Sequence, residues 1–153
     1  MPSTPSASDL TAHLGYWLRY VSNHVAQAFA RKVQARGVTV AEWVLMRQLL
    51  EEQAVAPSRL ADRMGMTRGA ISKLADRLIA KGMLVRVADP EDGRAQTLAL
   101  KPAGRALVPV LAALADANDA EFFDHLAPED RAALLRILRG IVEQRGLKSL
   151  PVD

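Results

Sequence analysis

A chain of 153 residues, half of them hydrophobic and only 5% aromatic, fits a domain of packed helices or a small head joined to helices that need a partner. It has no cysteine, which excludes disulfides and thiolate chemistry and fits a reducing cytoplasm, the expected location. The net charge of +3 is unevenly spread: residues 57–105 hold ten Lys/Arg against five Asp/Glu, and the remainder holds ten against twelve.

Residues 1–8 are rich in Pro, Ser and Ala and are expected to be disordered. MPSTPSASD has neither the basic end nor the apolar stretch of a secretory signal, and no stretch reads as a membrane span. From about Asp9 to Arg36, Leu10, Leu14, Trp17, Leu18, Val21, Val25, Ala28 and Phe29 recur at helical spacing, predicting one long amphipathic helix closed at Gly37. Thr39 and Glu42 form a capping box for the next helix, with Val38 able to staple onto Trp43, and that helix is predicted to reach about Gln53. Ala56-Pro57 opens a short helix that stops at Gly65. Thr67 then caps a helix running to Lys81 and ending at Gly82.

Two strands follow, Met83–Ala88 and Ala95–Leu100, joined by the loop Asp89–Arg94. Pro102 begins a helix to about Phe123, expected to bend near Pro109, where a helical hydrogen bond is missing. Pro128, Glu129 and Asp130 begin the last helix, which runs to about Gln144. The division is therefore a tail (1–8), an N-terminal dimerisation helix (9–38), a winged region (39–101), C-terminal dimerisation helices (102–147) and a short tail (148–153). The fold class is mainly α, an α+β winged helix-turn-helix head with long flanking helices. Leu107, Leu111, Leu114 and Phe122 mark one apolar stripe, and Leu134, Leu138, Ile141 and Val142 another. A head of fewer than about 50 residues cannot cover both, so an isologous dimer is expected over the alternative of a monomeric six-helix bundle.

In the helix after Thr67, Ile71, Leu74, Ala75 and Leu78 face inward, leaving Arg68, Gly69, Ser72, Lys73, Asp76 and Arg77 outside. Gly69, Ala70 and Ser72 keep its first turn slim enough for a groove, and Arg68, Ser72 and Lys73 can donate to base edges or phosphates. The 89–94 loop is acidic except for Arg94. Asp92 is expected to pair with and orient Arg94, so that its guanidinium enters a minor groove. On loop composition alone, an ordinary solvated hairpin is the preferred reading.

The segments TRGAISKLADRLIAKGMLVR and DPEDGRAQTLALKPAG resemble the recognition helix and wing of the MarR (multiple-antibiotic-resistance regulator) family. The resemblance extends more loosely to the whole helical layout. It implies a homodimeric transcriptional regulator, usually a repressor, on a pseudo-palindromic duplex. By position it assigns DNA contacts to Thr67, Arg68, Ser72 and Lys73, places Arg77 and Arg86 near phosphates, and gives Asp92 and Arg94 the wing roles. Lys101 stands where that family commonly has Thr, which removes a hydroxyl cap from the next helix.

The resemblance further implies release from DNA by a small aromatic or anionic ligand. Tyr16, Tyr20 and His24 share one stripe of the first helix, and Trp43 and Met46 are candidates to close a crevice against it. Edge packing of amphipathic side chains is the alternative reading of that stripe. No cofactor is implied. The scattered His13, His24 and His125 make no metal-binding spacing; His13 and His125 could approach each other across a dimer, but solvated surface histidines are the default. No nucleophile motif or phosphate loop points to an enzyme. Two further functional readings stay open: a winged protein-interaction adaptor without DNA binding, and a DNA-binding regulator with no effector.

Overall fold

The computed structural model describes residues 4–148, so the outermost parts of the two expected tails, 1–3 and 149–153, lie outside the described residues. Six helices and one two-stranded sheet follow in the order α1 (Leu14–Gln34), α2 (Val40–Leu49), α3 (Pro57–Met64), α4 (Arg68–Ala80), β1 (Leu84–Ala88), β2 (Gln96–Leu100), α5 (Pro102–Phe123) and α6 (Pro128–Arg145). This is the mainly α winged arrangement that the sequence predicts.

The first helix is shorter than its periodicity suggests. Leu10–Ala12 form a separate 3-10 turn, and His13 is extended (φ −99°, ψ 126°) before α1 begins. Trp17 explains part of the break, because its indole Nε1 donates to the Thr11 carbonyl at 3.0 Å and so satisfies it. The second helix also ends early, at Leu49 rather than near Gln53. Val55 exchanges two backbone hydrogen bonds of 2.9 Å with Leu98, so the chain must leave its helix soon enough to reach the sheet. Arg105 closes the vacated end by donating to the Leu50 carbonyl at 2.9 Å.

The caps lie where the sequence puts them. Thr39 Oγ1 accepts from the Glu42 amide (3.1 Å) while the Glu42 carboxylate accepts from the Thr39 amide (2.9 Å). Gly65 ends α3 in the left-handed conformation (φ 63°), which lets the chain reverse tightly into α4. At the far end of α4, Gly82 (φ 76°) permits the Met83 amide to reach back to the Leu78 carbonyl at 2.9 Å. The strands pair antiparallel from Leu84 opposite Leu100 to Ala88 opposite Gln96.

The core belongs to the head. Leu45, Met46 and Leu49 of α2 pack with Leu60 of α3, Ile71 and Leu78 of α4, Leu84, Leu98, and Val108 and Leu111 of α5. Val38 and Trp43 join the same cluster, as the expected staple requires. The start of α5 sits tightly on the chain before β1, because a Cβ at Gly104 would collide with the Met83 carbonyl oxygen. Gly104→Ala should therefore destabilise the chain by about 1–3 kcal/mol, read as a lower urea midpoint. A midpoint equal to the parent's would show that this approach is not constrained.

Helix α6 buries none of its side chains, and Leu135, Ile137 and Ile141 are about half exposed. Its base is fixed to α5 by the Arg131–Asp119 ion pair (2.6 Å). Between α1, α5 and α6 runs an apolar groove of about 810 Å³, walled by Trp17, Val21 and Phe29, by Phe122, and by Leu134 and Leu138. Where α1 meets α5, buried Asn118 donates to the Val25 carbonyl (3.1 Å) and accepts from Lys32 (2.9 Å), so neither amide atom is left unpaired. No helix among the described residues is long and apolar enough to cross a membrane.

Candidate DNA interface

The inner face of α4 is closed by Ile71, Leu74, Ala75 and Leu78, all buried. That burial fixes the helix's rotation and leaves Arg68, Ser72, Lys73 and Arg77 exposed on the other side. Thr67 Oγ1 caps the helix by accepting from the Ala70 amide at 3.1 Å. Its hydroxyl proton stays available to a phosphate oxygen, and the first-turn amides are oriented the same way. Among the described residues, Arg68, Lys73, Arg77 and Arg94 have no carboxylate partner. Four uncommitted cations are thus carried on one helix face and the neighbouring loop.

Arg86 differs from these four. Its guanidinium leaves β1 and pairs with Asp76 of α4 at 2.6 Å. The pair offsets the one carboxylate on the outer face of α4 and holds Arg86 against that helix. Both side chains are well exposed, so the pair orients more than it stabilises.

The wing loop resolves its own electrostatic conflict in a way the sequence reading did not foresee. Asp92 does not grip the Arg94 guanidinium; its Oδ1 accepts from the Arg94 backbone amide at 3.1 Å. Asp89 Oδ1 likewise accepts from the Glu91 amide (2.9 Å), while backbone bonds join Asp89 to Ala95 and Ala95 to Asp92. Two of the three loop carboxylates therefore fold the hairpin on itself, as short Asx side chains do in turns. Arg94 is left exposed with its charge uncommitted.

The residues expected to hold a ligand fall into two groups. Tyr16, Tyr20 and His24 form a row along α1, with Tyr20 and His24 stacked at 5.2 Å and Tyr16 tilted against Tyr20 at 6.0 Å. Trp43 is half-buried against the head's core, and Met46 is completely buried inside it, with no surface to offer a ligand. None of the five lines the apolar groove between α1, α5 and α6. Of the histidines, His13 precedes α1, His24 belongs to the aromatic row, and His125 lies on the groove. No cluster of three or more metal-ligating side chains occurs among the described residues.

Sequence reasoning took Glu42 only as a capping residue and Lys81 only as a helix end. In the structure the Glu42 carboxylate is fully buried and Lys81 Nζ donates to both of its oxygens, at 2.9 and 2.8 Å. Burial alone would raise the Glu42 pKa. The hydrogen bond from Lys81, those from Thr39, and the Lys81 charge together outweigh it and hold the carboxyl below its ordinary value. Residues 39 apart in the chain meet here, so no local pattern could have signalled the pair.

Comparison with known proteins agrees with this geometry. The MarR family model matches residues 36–95, which span the head from the end of α1 to the wing. A putative transcriptional regulatory protein for the hcr operon of Thauera aromatica is 28% identical over 140 residues, covering 89% of this chain and 82% of that protein. An HTH-type transcriptional repressor of Mycobacterium bovis is 29% identical over 121 residues, covering 78% of this chain and 87% of the other. The crystal structure of CouR from Rhodococcus jostii RHA1, solved bound to p-coumaroyl-CoA, superposes with a TM-score of 0.78 at 23% identity, covering 95% of this chain and 99% of that one. A winged head with a free cationic reading face, set between long flanking helices, leads to one reading: residues 36–95 match the MarR family, and the chain over most of its length is similar to transcriptional regulators.

Proposed function

We propose that the chain is a homodimeric repressor that binds a pseudo-palindromic operator and is released from it by a small aromatic or anionic ligand. The observation that carries the reading is the unpaired cationic face of α4 beside the exposed Arg94, a surface with no internal use for its charges. Thr67, Arg68, Ser72 and Lys73 enter the major groove, Arg77 and Arg86 hold phosphates, and Arg94 enters the minor groove on the geometry that Asp92 imposes. The exposed apolar faces of α1 and α6 support pairing of two copies, and the name of the Mycobacterium bovis relative supports repression.

Footprinting and salt titration test this reading together. An inverted repeat with half-site centres about 10 bp apart should be protected. For each tenfold rise in salt, affinity should fall by about 0.9 logarithmic units per phosphate contact. Absence of a protected repeat at every salt concentration would remove the proposal.

The wing makes a sharper prediction. Arg94→Ala should weaken operator binding by about 1.5–3 kcal/mol. Asp92→Ala should weaken it in the same direction by releasing the turn. Asp92→Asn should bind almost like the parent, because the amide oxygen keeps the acceptor for the Arg94 amide. Fluorescence anisotropy on a labelled operator measures all three. An Asn variant as weak as the Ala variant would mean that the carboxylate's charge, not its acceptor, does the orienting.

Release by ligand is supported by the exposed aromatic row on α1 and by the aromatic acyl thioester bound to CouR. The expected crevice residues are Tyr16, Tyr20, His24 and Trp43. Titration with phenolates and aromatic acyl thioesters, read by loss of operator binding, tests this part. No effect from either class would leave a regulator without these effectors.

A further inference from the structure

The only fully buried carboxylate among the described residues lies away from the DNA face, at the corner where α1 gives way to α2. Glu42 takes two hydrogen bonds from Lys81 Nζ, and its Oε1 takes a third from the Thr39 amide. Lys81 gives its remaining donor to the Gly37 carbonyl at 2.9 Å. An ammonium has three N–H donors, and all three are used. Gly37 closes the turn after α1, Glu42 opens α2, and Lys81 follows the last residue of α4. One side chain thus fastens the end of the recognition helix to the corner between the other two. Among the described residues, no other side-chain hydrogen bond joins α4 to that corner.

The pair joins a buried carboxylate to a lysine 38% exposed, and it adds little net stability over apolar side chains of similar size, because desolvation of Glu42 offsets the attraction. What it adds is geometry. The buried stripe of α4 sets which face turns inward, and three directed bonds to two chain segments add a fixed direction and distance at the helix's end. We propose that Lys81 is a positioning residue for DNA binding: it fixes the angle between α4 and α1, and through that angle the separation of the two recognition helices in a dimer. This inference rests on the dimeric DNA-binding reading given above.

The test exploits the absence of cysteine. Ser72→Cys accepts one spin label per protomer, so a dimer without DNA gives a single distance between recognition helices. Lys81→Met combined with Glu42→Gln removes both charges and leaves no buried unpaired carboxylate, while Lys81→Arg keeps the bonds. The parent and the Arg variant should give narrow distance distributions. The double variant, with a urea midpoint near the parent's, should give one roughly twice as wide. Without the label, its preference for the native half-site spacing over an operator lengthened by one base pair should fall roughly fivefold or more, and Lys81→Arg should restore it. A double variant with the parent's width and spacing preference overturns the inference. So does a collapsed urea midpoint with both properties unrestored by Lys81→Arg, which would assign the pair to stability alone. A parent giving no inter-label distance removes the dimeric reading itself, and this inference with it.

Discussion

Replacing Lys81 alone by Met should cost about 1–3 kcal/mol of stability near neutral pH, because it leaves the buried Glu42 carboxylate without its counter-charge, although solvent reaching the 38%-exposed Lys81 softens the loss. Acid should narrow the deficit. In the parent, Glu42 has a folded pKa below its unfolded value, so its contribution is complete above the unfolded pKa and is lost as pH falls through the folded one. Removing Lys81 takes away its hydrogen bond and its charge and leaves burial opposed only by Thr39, so the folded pKa rises. The variant then gains stability relative to the parent on acidification, and the two curves approach each other. Urea melts at fixed protomer concentration, near neutrality and at about pH 4, measure the effect. A gap that stayed constant between these conditions would show that Glu42 is not the group left exposed to the loss.

Replacing Leu138 and Ile141 together by Glu should give a folded single copy whose operator affinity is lower by about 10²–10⁴-fold. Neither side chain is buried within one copy, and Leu138 borders the groove between α1, α5 and α6. The head's core does not include them, so its far-ultraviolet spectrum should be unchanged. Two linked heads bind with high effective concentration, whereas a single head must hold the duplex by its own contacts. Sedimentation with operator titration measures both consequences. A variant that sedimented as a dimer and bound with the parent's affinity would locate the pairing surface elsewhere.

Much of the reading head was legible in the sequence because its determinants are local. Thr39 with Glu42, Thr67 before Arg68, and the glycines at 65 and 82 specify helix ends within a few residues, and each lies in its expected role. The inward stripe of α4 fixed which side chains face outward, so the cationic face followed from spacing alone. Where periodicity failed, a hydrogen bond outside the helical repeat intervened, one local and one distant. The start of α1 yielded to the Trp17 bond to Thr11, and α2 stopped short so that Val55 could reach Leu98.

The sequence alone determined the order of elements, the capped turn, the outward cations and the surplus of apolar helix surface, all encoded at separations of three or four residues or in simple counts. Tertiary structure decided which of these residues have partners. It gave Asp76 to Arg86, turned Asp92 onto a backbone amide, enclosed Met46 in the core, and joined Lys81 to Glu42 across 39 positions. The physical reason is that hydrogen bonds and ion pairs depend on distances of about 3 Å, and such distances between remote residues exist only once the helices have packed.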